Sequence, residues 1–446
     1  MISVSGKRWE EINVNKRFIE KIKSEQNISE LIAKLIISRN FDETEIYSIK
    51  NEVDLLNPFL SNSDYNECFK TLEEIIVNNR KIQIIGDYDV DGITSTSLLI
   101  KFFQFINYPY SFYIPDRIQD GYGASLKLIR KLIISKPDLV IMLDCGSNSY
   151  EAIDYLNKNK IKTIIIDHHE IFKPYPKTKN IINPKKECAY SDYDYLCSAS
   201  LTYFFIDYYF KKKNIDNNFD INLIYVLLAT VADVMPLRKL NRIISKKILD
   251  NFDITKNFIF NEIYKINDKK NYMNIYDLGF LIAPMFNAAG RIDKAEKVVN
   301  LLTTKNKSEQ NRIILNLQKL NEKRKIIEEN IMEEIDLLKV GKTKEDVIVL
   351  FLKNINEGLI GIIASKVKEY FNKPCVVFTN SGSIYKGSAR STENFNIGRF
   401  MKLGIDKGII LNGGGHNLAA GLTIEKNKIE KFTKFIKNQI FLIKTK

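Results

Sequence analysis

Ile82-Gln83-Ile84-Ile85-Gly86-Asp87-Tyr88-Asp89-Val90-Asp91-Gly92-Ile93-Thr94-Ser95 decides the fold. A short apolar run, a turn crowded with carboxylates and the start of a helix-period segment follow one another without a linker. The same succession recurs downstream. Phe112 to Ile114, Leu139 to Leu143 and Ile161 to Ile166 are further strand-like runs, the last two ending on Asp144-Cys145-Gly146 and Asp167-His168-His169. Such alternation predicts a mainly parallel sheet covered by helices on both faces, with ligands outside the carboxyl ends of the strands. The polar clusters fall at those ends.

Residues 1–80 read as a helical N-terminal segment, with apolar spacing at Ile28, Leu31, Ile32, Leu35 and Ile36 and a turn at Asn57-Pro58. Residues 81–304 hold the strand and helix alternation, followed from about Ser198 by a helical part. A charged stretch over 305–340 with apolar residues at helical spacing predicts one long, partly solvated connecting helix. Beyond it, 341–446 restarts the alternation with Val347 to Leu352, a helix through Ile360 to Phe371, Cys375 to Phe378, and Gly-rich loops near Ser381 and Gly413. The expected architecture is α/β, a mainly parallel sheet joined by a long helix to a smaller α/β domain.

The formal charge of +13, from 67 basic and 54 acidic residues, suits a polyanionic partner, although a Lys-rich composition alone gives the same surplus. Five cysteines without a Cys-x-x-Cys pair argue against a disulfide framework and a zinc ribbon. A reducing cytoplasm is the expected home. The polar start carries no secretory signal, and the apolar run Leu223 to Ala232 is too short to cross a bilayer.

All three histidines, His168, His169 and His416, sit in polar motifs directly after strand-like runs. Imidazole is a common metal ligand and titrates near neutral pH, which turns attention to its neighbours. Asp87, Asp89 and Asp91 repel one another in a desolvated turn unless a cation neutralises them. Each Asp at a strand end, Asp144 and Asp233 included, is taken alone more often a turn or cap residue. Together, strands of one parallel sheet would bring Asp87, Asp89, Asp144 and His168 to one edge. That set suits manganese or magnesium better than zinc, and two ions about 3.5–4 Å apart could clamp a phosphoryl centre.

The ordered set Gly86-Asp87-Tyr88-Asp89-Val90-Asp91-Gly92, Asp144-Cys145-Gly146, Asp167-His168-His169 and Asp233-Val234-Met235-Pro236 resembles the DHH phosphoesterases. With Pro115-Asp116-Arg117, Gly121-Tyr122-Gly123, Asn287-Ala288-Ala289-Gly290-Arg291-Ile292, Gly414-Gly415-His416 and Ala419-Ala420-Gly421, the fuller pattern resembles the RecJ single-strand-specific exonucleases and their accessory (DHHA1) domain. The resemblance implies that Asp87 holds one Mn2+ (or Mg2+), that Asp89, His168 and Asp233 hold a second, and that Asp144 bridges them. It further implies that His169 faces the phosphate and that Asp91 is a supporting or catalytic carboxylate. Related pyrophosphatases carry a histidine four residues before the first aspartate; Gln83 stands there in this chain.

Arg291, after small residues that let a phosphate approach, and Arg117 offer bidentate forks to phosphate oxygens, the bland alternative being an ordinary salt bridge or cap. By resemblance, Arg390, Ser391 and His416 hold the terminal phosphate or nucleotide across a cleft. Runs such as Tyr203-Phe204-Phe205 and Tyr208-Tyr209-Phe210 lie at helical spacing and read as core, and Lys211-Lys212-Lys213 reads as a solvated helix end. The expected function is exonucleolytic digestion of single-stranded DNA to mononucleotides in repair and recombination, with the 5′ to 3′ polarity implied by the resemblance, a single-strand-binding protein or helicase as protein partner and no membrane association. Because Glu425 to Lys446 suffices only for one helix rather than an oligonucleotide-binding domain, hydrolysis of short oligonucleotides or small nucleotides is the first alternative. A catalytically silent DNA-binding scaffold is the second.

Overall fold

The structure, a computed structural model, describes residues 8–444 apart from 9, 11, 118, 122, 187–190, 271, 336–344, 394 and 416. Strands β1 (Ile82–Ile85), β2 (Ser111–Tyr113), β3 (Leu139–Leu143), β4 (Lys162–Ile166) and β5 (Ile181–Ile182) form one sheet in the order β2-β1-β3-β4-β5, parallel throughout. Their apolar runs are continuous because both faces are covered. Ile84, Ile141 and Ile164 point into a core shared with the helices Ser63–Val77, Val90–Phe105 and Ser198–Lys213, while Ile85, Val140 and Ile165 meet Leu128, Ile129, Ile153 and Leu156 on the other side.

The chain leaves β1 toward β2 on one side and returns to β3 on the other, so β1 and β3 flank the point where the winding reverses. Parallel α/β sheets bind ligands there. Ile85 pairs with Met142 and Leu143 with Ile166, which brings the segments that follow β1, β3 and β4 to one edge at matched height.

The helix Lys307–Glu334, 28 residues and therefore about 42 Å long, leads to the second sheet. That sheet comprises β6 (Ile348–Phe351), β7 (Cys375–Ser381), β8 (Ile384–Arg390), β9 (Asn412–Gly415) and β10 (Ala419–Glu425), in the order β6-β7-β8-β10-β9. Only β6 and β7 are parallel. The glycine-rich stretches read as loops from sequence are strands here: Gly387 to Arg390 lie in β8 and Gly413 to Gly415 in β9. Pairing along their full length with β10 supplies the order that their poor strand propensity does not. Arg324 and Lys366 both bind the buried carboxylate of Glu328, at 2.6 and 3.0 Å, and so tie the long helix to the helix Glu357–Phe371.

Of the apolar residues that set the N-terminal periodicity, Ile36 is buried while Leu31, Ile32 and Leu35 lie exposed. Tyr65, Cys68, Leu72 and Ile75 of the helix Ser63–Val77 join the main core, and the helices before it are also tied on by polar contacts. Asp42 and Glu45 form a capping box at the helix Glu43–Tyr47, and Glu45 receives Nε and Nη2 of Arg238 at 2.5 and 2.6 Å. Against its burial, that guanidinium and the backbone N–H groups of Asp42 and Lys239 hold the Glu45 carboxyl down at about 2. A carboxylate depressed in this way stabilises the fold above its unfolded value, near 4.5, and the contribution is lost as pH falls toward 2. Glu45→Ala is therefore expected to lower the unfolding free energy by about 2 kcal/mol at pH 7 and to remove part of the acid limb of a urea-melting series.

Among the described residues no helix is long and apolar enough to cross a membrane. Cys68, Cys145, Cys197 and Cys375 are buried free thiols; Cys188 and Gly341, where the sequence suggested a boundary, lie outside the described residues.

Candidate metal centre and anion pocket

Beyond β1 the chain folds back so tightly that a Cβ at Gly92 would lie 2.5 Å from the backbone nitrogen of Asp87. Only glycine closes this turn, and the closure buries Asp87. One carboxylate oxygen, Oδ1, accepts from the Tyr88 N–H at 2.8 Å, whereas the buried Oδ2 has no hydrogen-bond partner. Asp89 is the N-cap of the helix Val90–Phe105 and accepts from the Gly92 N–H at 3.1 Å. Asp91, two residues further in, accepts from the N–H groups of Ser198 and Ala199, both at 2.8 Å, and so caps the helix Ser198–Lys213 from across the core.

After β3, Asp144 adopts a left-handed backbone (φ 59°), and the Ser198 hydroxyl donates to its Oδ1 at 3.0 Å. Strain of this kind in a residue other than glycine gathers at functional sites. After β4, the buried Asp167 accepts from the N–H groups of His168 and His169, faces Nδ1 of His169 at 2.8 Å, and takes the Ser147 N–H on its other oxygen. Asp233 arrives from a helix end, as the C-cap of Leu223–Ala232, and the next residue, Val234, is again left-handed (φ 55°). Nε2 of His168 then stands 3.4 Å from Asp233, 3.5 Å from Asp144 and 3.7 Å from Asp91.

Among the described residues, three overlapping sets offer ligand atoms within 4.8 Å of one another: Asp87, Asp89 and Asp144; Asp91, His168 and Asp233; and Asp144, His168 and His169. Asp144 belongs to two of them. The sets differ in one respect from the pairing that the resemblance implied: Asp89, whose Oδ1 is drawn toward Gly92, groups with Asp87, and Asp91 stands beside His168 and Asp233. Gln83 lies within the sheet interior, donating to Ile84 O and accepting from Ser111 Oγ.

The electrostatics are those of a cation site. Burial, then Asp89, pushes the Asp87 carboxyl up to about 8; burial, then Asp91, does the same at Asp233, also to about 8. Burial with Asp91, Asp89 and Asp87 drives Asp144 well above the usual carboxylate range. His169, in contrast, is pushed up to about 9, the Asp167 carboxylate outweighing its burial. Oxygen-rich donors, one imidazole, an orphaned buried oxygen and strong mutual repulsion fit a pair of hard divalent cations.

Across from this cluster three guanidiniums gather from three parts of the chain. Arg117 lies over the Tyr88 ring at 4.0 Å, and its buried Nε has no hydrogen-bond partner. Arg291 comes close because a Cβ at Gly290 would meet the Tyr88 carbonyl at 2.5 Å; its Nη1 donates to Gly358 O at 2.8 Å. Arg390, on β8, donates to Ser365 Oγ, Ser388 Oγ and Ala389 O. Burial, then the charges of Arg117 and Arg324, lowers Arg291 to about 10, and burial with Arg117 lowers Arg390. Ser391 departs from expectation: it is buried and its hydroxyl donates to Phe395 O at 2.6 Å, so it does not line the pocket. Ser388, two residues back on the Arg390 face, offers the hydroxyl instead. Tyr122 and His416 lie outside the described residues.

Residues 81–230 match the family model described as DHH family, N-terminal domain, and 344–440 match the DHHA1 domain. The chain carries a DHH-family domain followed by a DHHA1 domain. Its relatives include the single-stranded-DNA-specific exonuclease RecJ of Bacillus subtilis, 29% identical over 95% of this chain and 54% of that protein, and RecJ of Escherichia coli, 28% identical over 90% and 73%. This DHH chain thus spans about half the length of the B. subtilis relative. Among solved structures, RecJ of Thermus thermophilus in complex with Mn2+ superposes with a TM-score of 0.81 over 96% of this chain and 61% of that one, at 22% identity. An exonuclease RecJ bound to manganese gives 0.72 over 87% and 96%, at 24% identity. The fold is accordingly the DHH α/β sheet joined by a long helix to a smaller α/β DHHA1 domain.

Two organising residues escaped the reading of the sequence as ligands or binders. Asp167 aligns both histidines of the DHH motif, and Ser198 links Asp91 to Asp144. The DHH order itself signals Asp167, whereas Ser198 carries no local mark.

Proposed function

We propose that this DHH-family chain is a divalent-cation-dependent exonuclease that removes mononucleotides from the 5′ end of single-stranded DNA, serving repair and recombination in the cytoplasm. One observation carries the reading: a buried cluster of carboxylates and His168 faces three guanidiniums, one from the loop after β2, one from a helix and one from β8, so a scissile phosphodiester and a terminal phosphate have sites of opposite character side by side. The relatives' names and the manganese and magnesium in the solved RecJ structures support the substrate and the ions.

In this reading Asp87, Asp89, Asp144, His168 and Asp233 hold two Mn2+ or Mg2+ ions, with Asp91 close enough to join the second set. The ions would supply Lewis-acid polarisation of the phosphoryl oxygens and acidify water at neutral pH. His169, kept protonated by Asp167, donates a hydrogen bond to a non-bridging phosphate oxygen and offsets the charge that builds there. Arg117, Arg291 and Arg390 grip the terminal phosphate bidentately. Attack by water makes the new P–O bond, the P–O3′ bond breaks, and a mononucleotide leaves. We assign 81–304 as the catalytic part, 305–340 as connector, 341–446 as the nucleic-acid-binding domain and 1–80 as a buttress, with a single-strand-binding protein or a helicase as protein partner.

End-labelled single-stranded and duplex DNA incubated with manganese, magnesium or chelator tests the proposal. Mononucleotides from the single strand alone, dependent on the ion, are expected; endonucleolytic fragments or equal digestion of duplex would overturn it. Asp167→Asn, which acts through His169, is expected to lower kcat about 10- to 100-fold with little change in KM.

A further inference from the structure

The helix Ile275–Asp277, the π-helical turn Leu278–Ile282 and the helix Ala283–Ile292 run on without a break and end beside the anion pocket at Arg291. Near their start Tyr276 and Phe280 stand out from the surface, 65% and 71% exposed. Their rings are stacked, with centroids 4.6 Å apart and planes inclined by 27°. Tyr272, 61% exposed, precedes them. The same face continues, now half-buried, through Pro284 and Asn287 to Arg291, at steps of four, four, three and four residues. This face links the aromatic pair to the phosphate grip.

Two further observations bear on what lies along it. The π-helical turn carries Phe280 itself, and such turns occur mostly where a helix has been adapted to function. Gly279 packs on Val231, at 3.3 Å from a built Cβ, so the pair flanks the segment that ends on Asp233. Just upstream Lys270 is exposed, while Lys269 is tied to the buried Asp277 at 3.0 Å, so Lys270 gives the aromatic surface a cationic edge suited to a phosphodiester chain.

We infer that Tyr276 and Phe280 form a stacking platform for bases of the single strand downstream of its gripped 5′ end. The inference rests on the reading of the site as one for single-stranded DNA. Aromatic faces take any base, so the platform adds affinity without sequence preference. Phe280 and Arg291 are separated by eleven residues of helix, roughly 16 Å, so bases a few positions downstream of the gripped end would meet the rings.

The test is equilibrium binding of a 3′-labelled oligothymidine of about 15 nucleotides, read by fluorescence anisotropy in chelator so that no hydrolysis is needed. Tyr276→Ala/Phe280→Ala is expected to raise Kd roughly tenfold or more, and Tyr276→Trp/Phe280→Trp to retain tight binding. A short abasic window moved stepwise along the strand should weaken the wild type similarly where it meets the rings and the double alanine variant no further. Equal Kd for wild type and alanine variant, or fully additive losses, would overturn the platform. Absence of ion-dependent nucleotide release by the wild type would instead defeat the nuclease reading and leave the Kd comparison standing.

Discussion

Replacing Asp144 by asparagine is expected to reduce ion-dependent nucleotide release by on the order of 10³-fold or more while making the ion-free protein more resistant to heat. The two effects have one origin. Asp144 is buried among Asp91, Asp89 and Asp87, and all of them raise its pKa, so each negative charge there opposes folding until a cation enters. Carboxyls raised in the folded state bind more protons than in the unfolded one. Ion-free stability should therefore fall as pH rises from about 4 toward the value of about 8 set by Asp87 and Asp233. Asparagine keeps the left-handed backbone at φ 59° that alanine would strain, and it keeps the Ser198 contact. Thermal melts with and without manganese check this independently of activity. The wild type should gain about 2.7 kcal/mol at an ion concentration near 100 Kd, and the variant should lose most of that gain. A variant with wild-type rate and wild-type response to manganese would rule out Asp144 as the shared ligand.

The second large effect is expected at the opposite charge cluster. Arg390→Gln should reduce the preference for a 5′-phosphorylated over a 5′-hydroxyl strand by roughly 10- to 100-fold, since a charge-assisted pair of hydrogen bonds to phosphate is lost. The residue is well placed for this because Ser365, Ser388 and the Ala389 carbonyl fix its guanidinium. Its removal also relieves Arg117, so inorganic phosphate or sulfate should stabilise the wild type more than the variant. Competition between the two end-labelled strands measures the preference. An unchanged ratio would move the end-group site away from Arg390.

The carboxyl-edge cluster was legible in the sequence because parallel strands convert chain order into spatial adjacency. Asp87, Asp144 and His168 each follow a run of residues that only a doubly covered strand explains, and register places the runs level. Asp233 follows an apolar run as well, but that run is a helix, and periodicity over ten residues cannot tell which end of it meets the sheet. The resemblance supplied it. Ser391 was named by resemblance, and with Gly387 to Arg390 taken as a loop nothing in the sequence ranked it against Ser388. In a strand the side chains alternate, so Ser388 shares the arginine's face, while Ser391, just past the strand end, is turned inward. Neither the exchange of Asp89 and Asp91 between ligand groups nor the gathering of Arg117, Arg291 and Arg390 is written in local pattern. Both depend on how distant segments pack.

The helix Lys307–Glu334 carries one sheet toward the other as a rigid screw. Each residue added to or removed from its interior would advance the second sheet by about 1.5 Å and turn it by about 100°, swinging Arg390 out of line with Arg117 and uncoupling Arg291 from Gly358. Length changes are thus tolerable only in near-whole turns, of which seven residues is the smallest close match, and even that displaces the cleft by about 10 Å. Surface loops in this chain are free to drift in length, but this one segment must stay in phase.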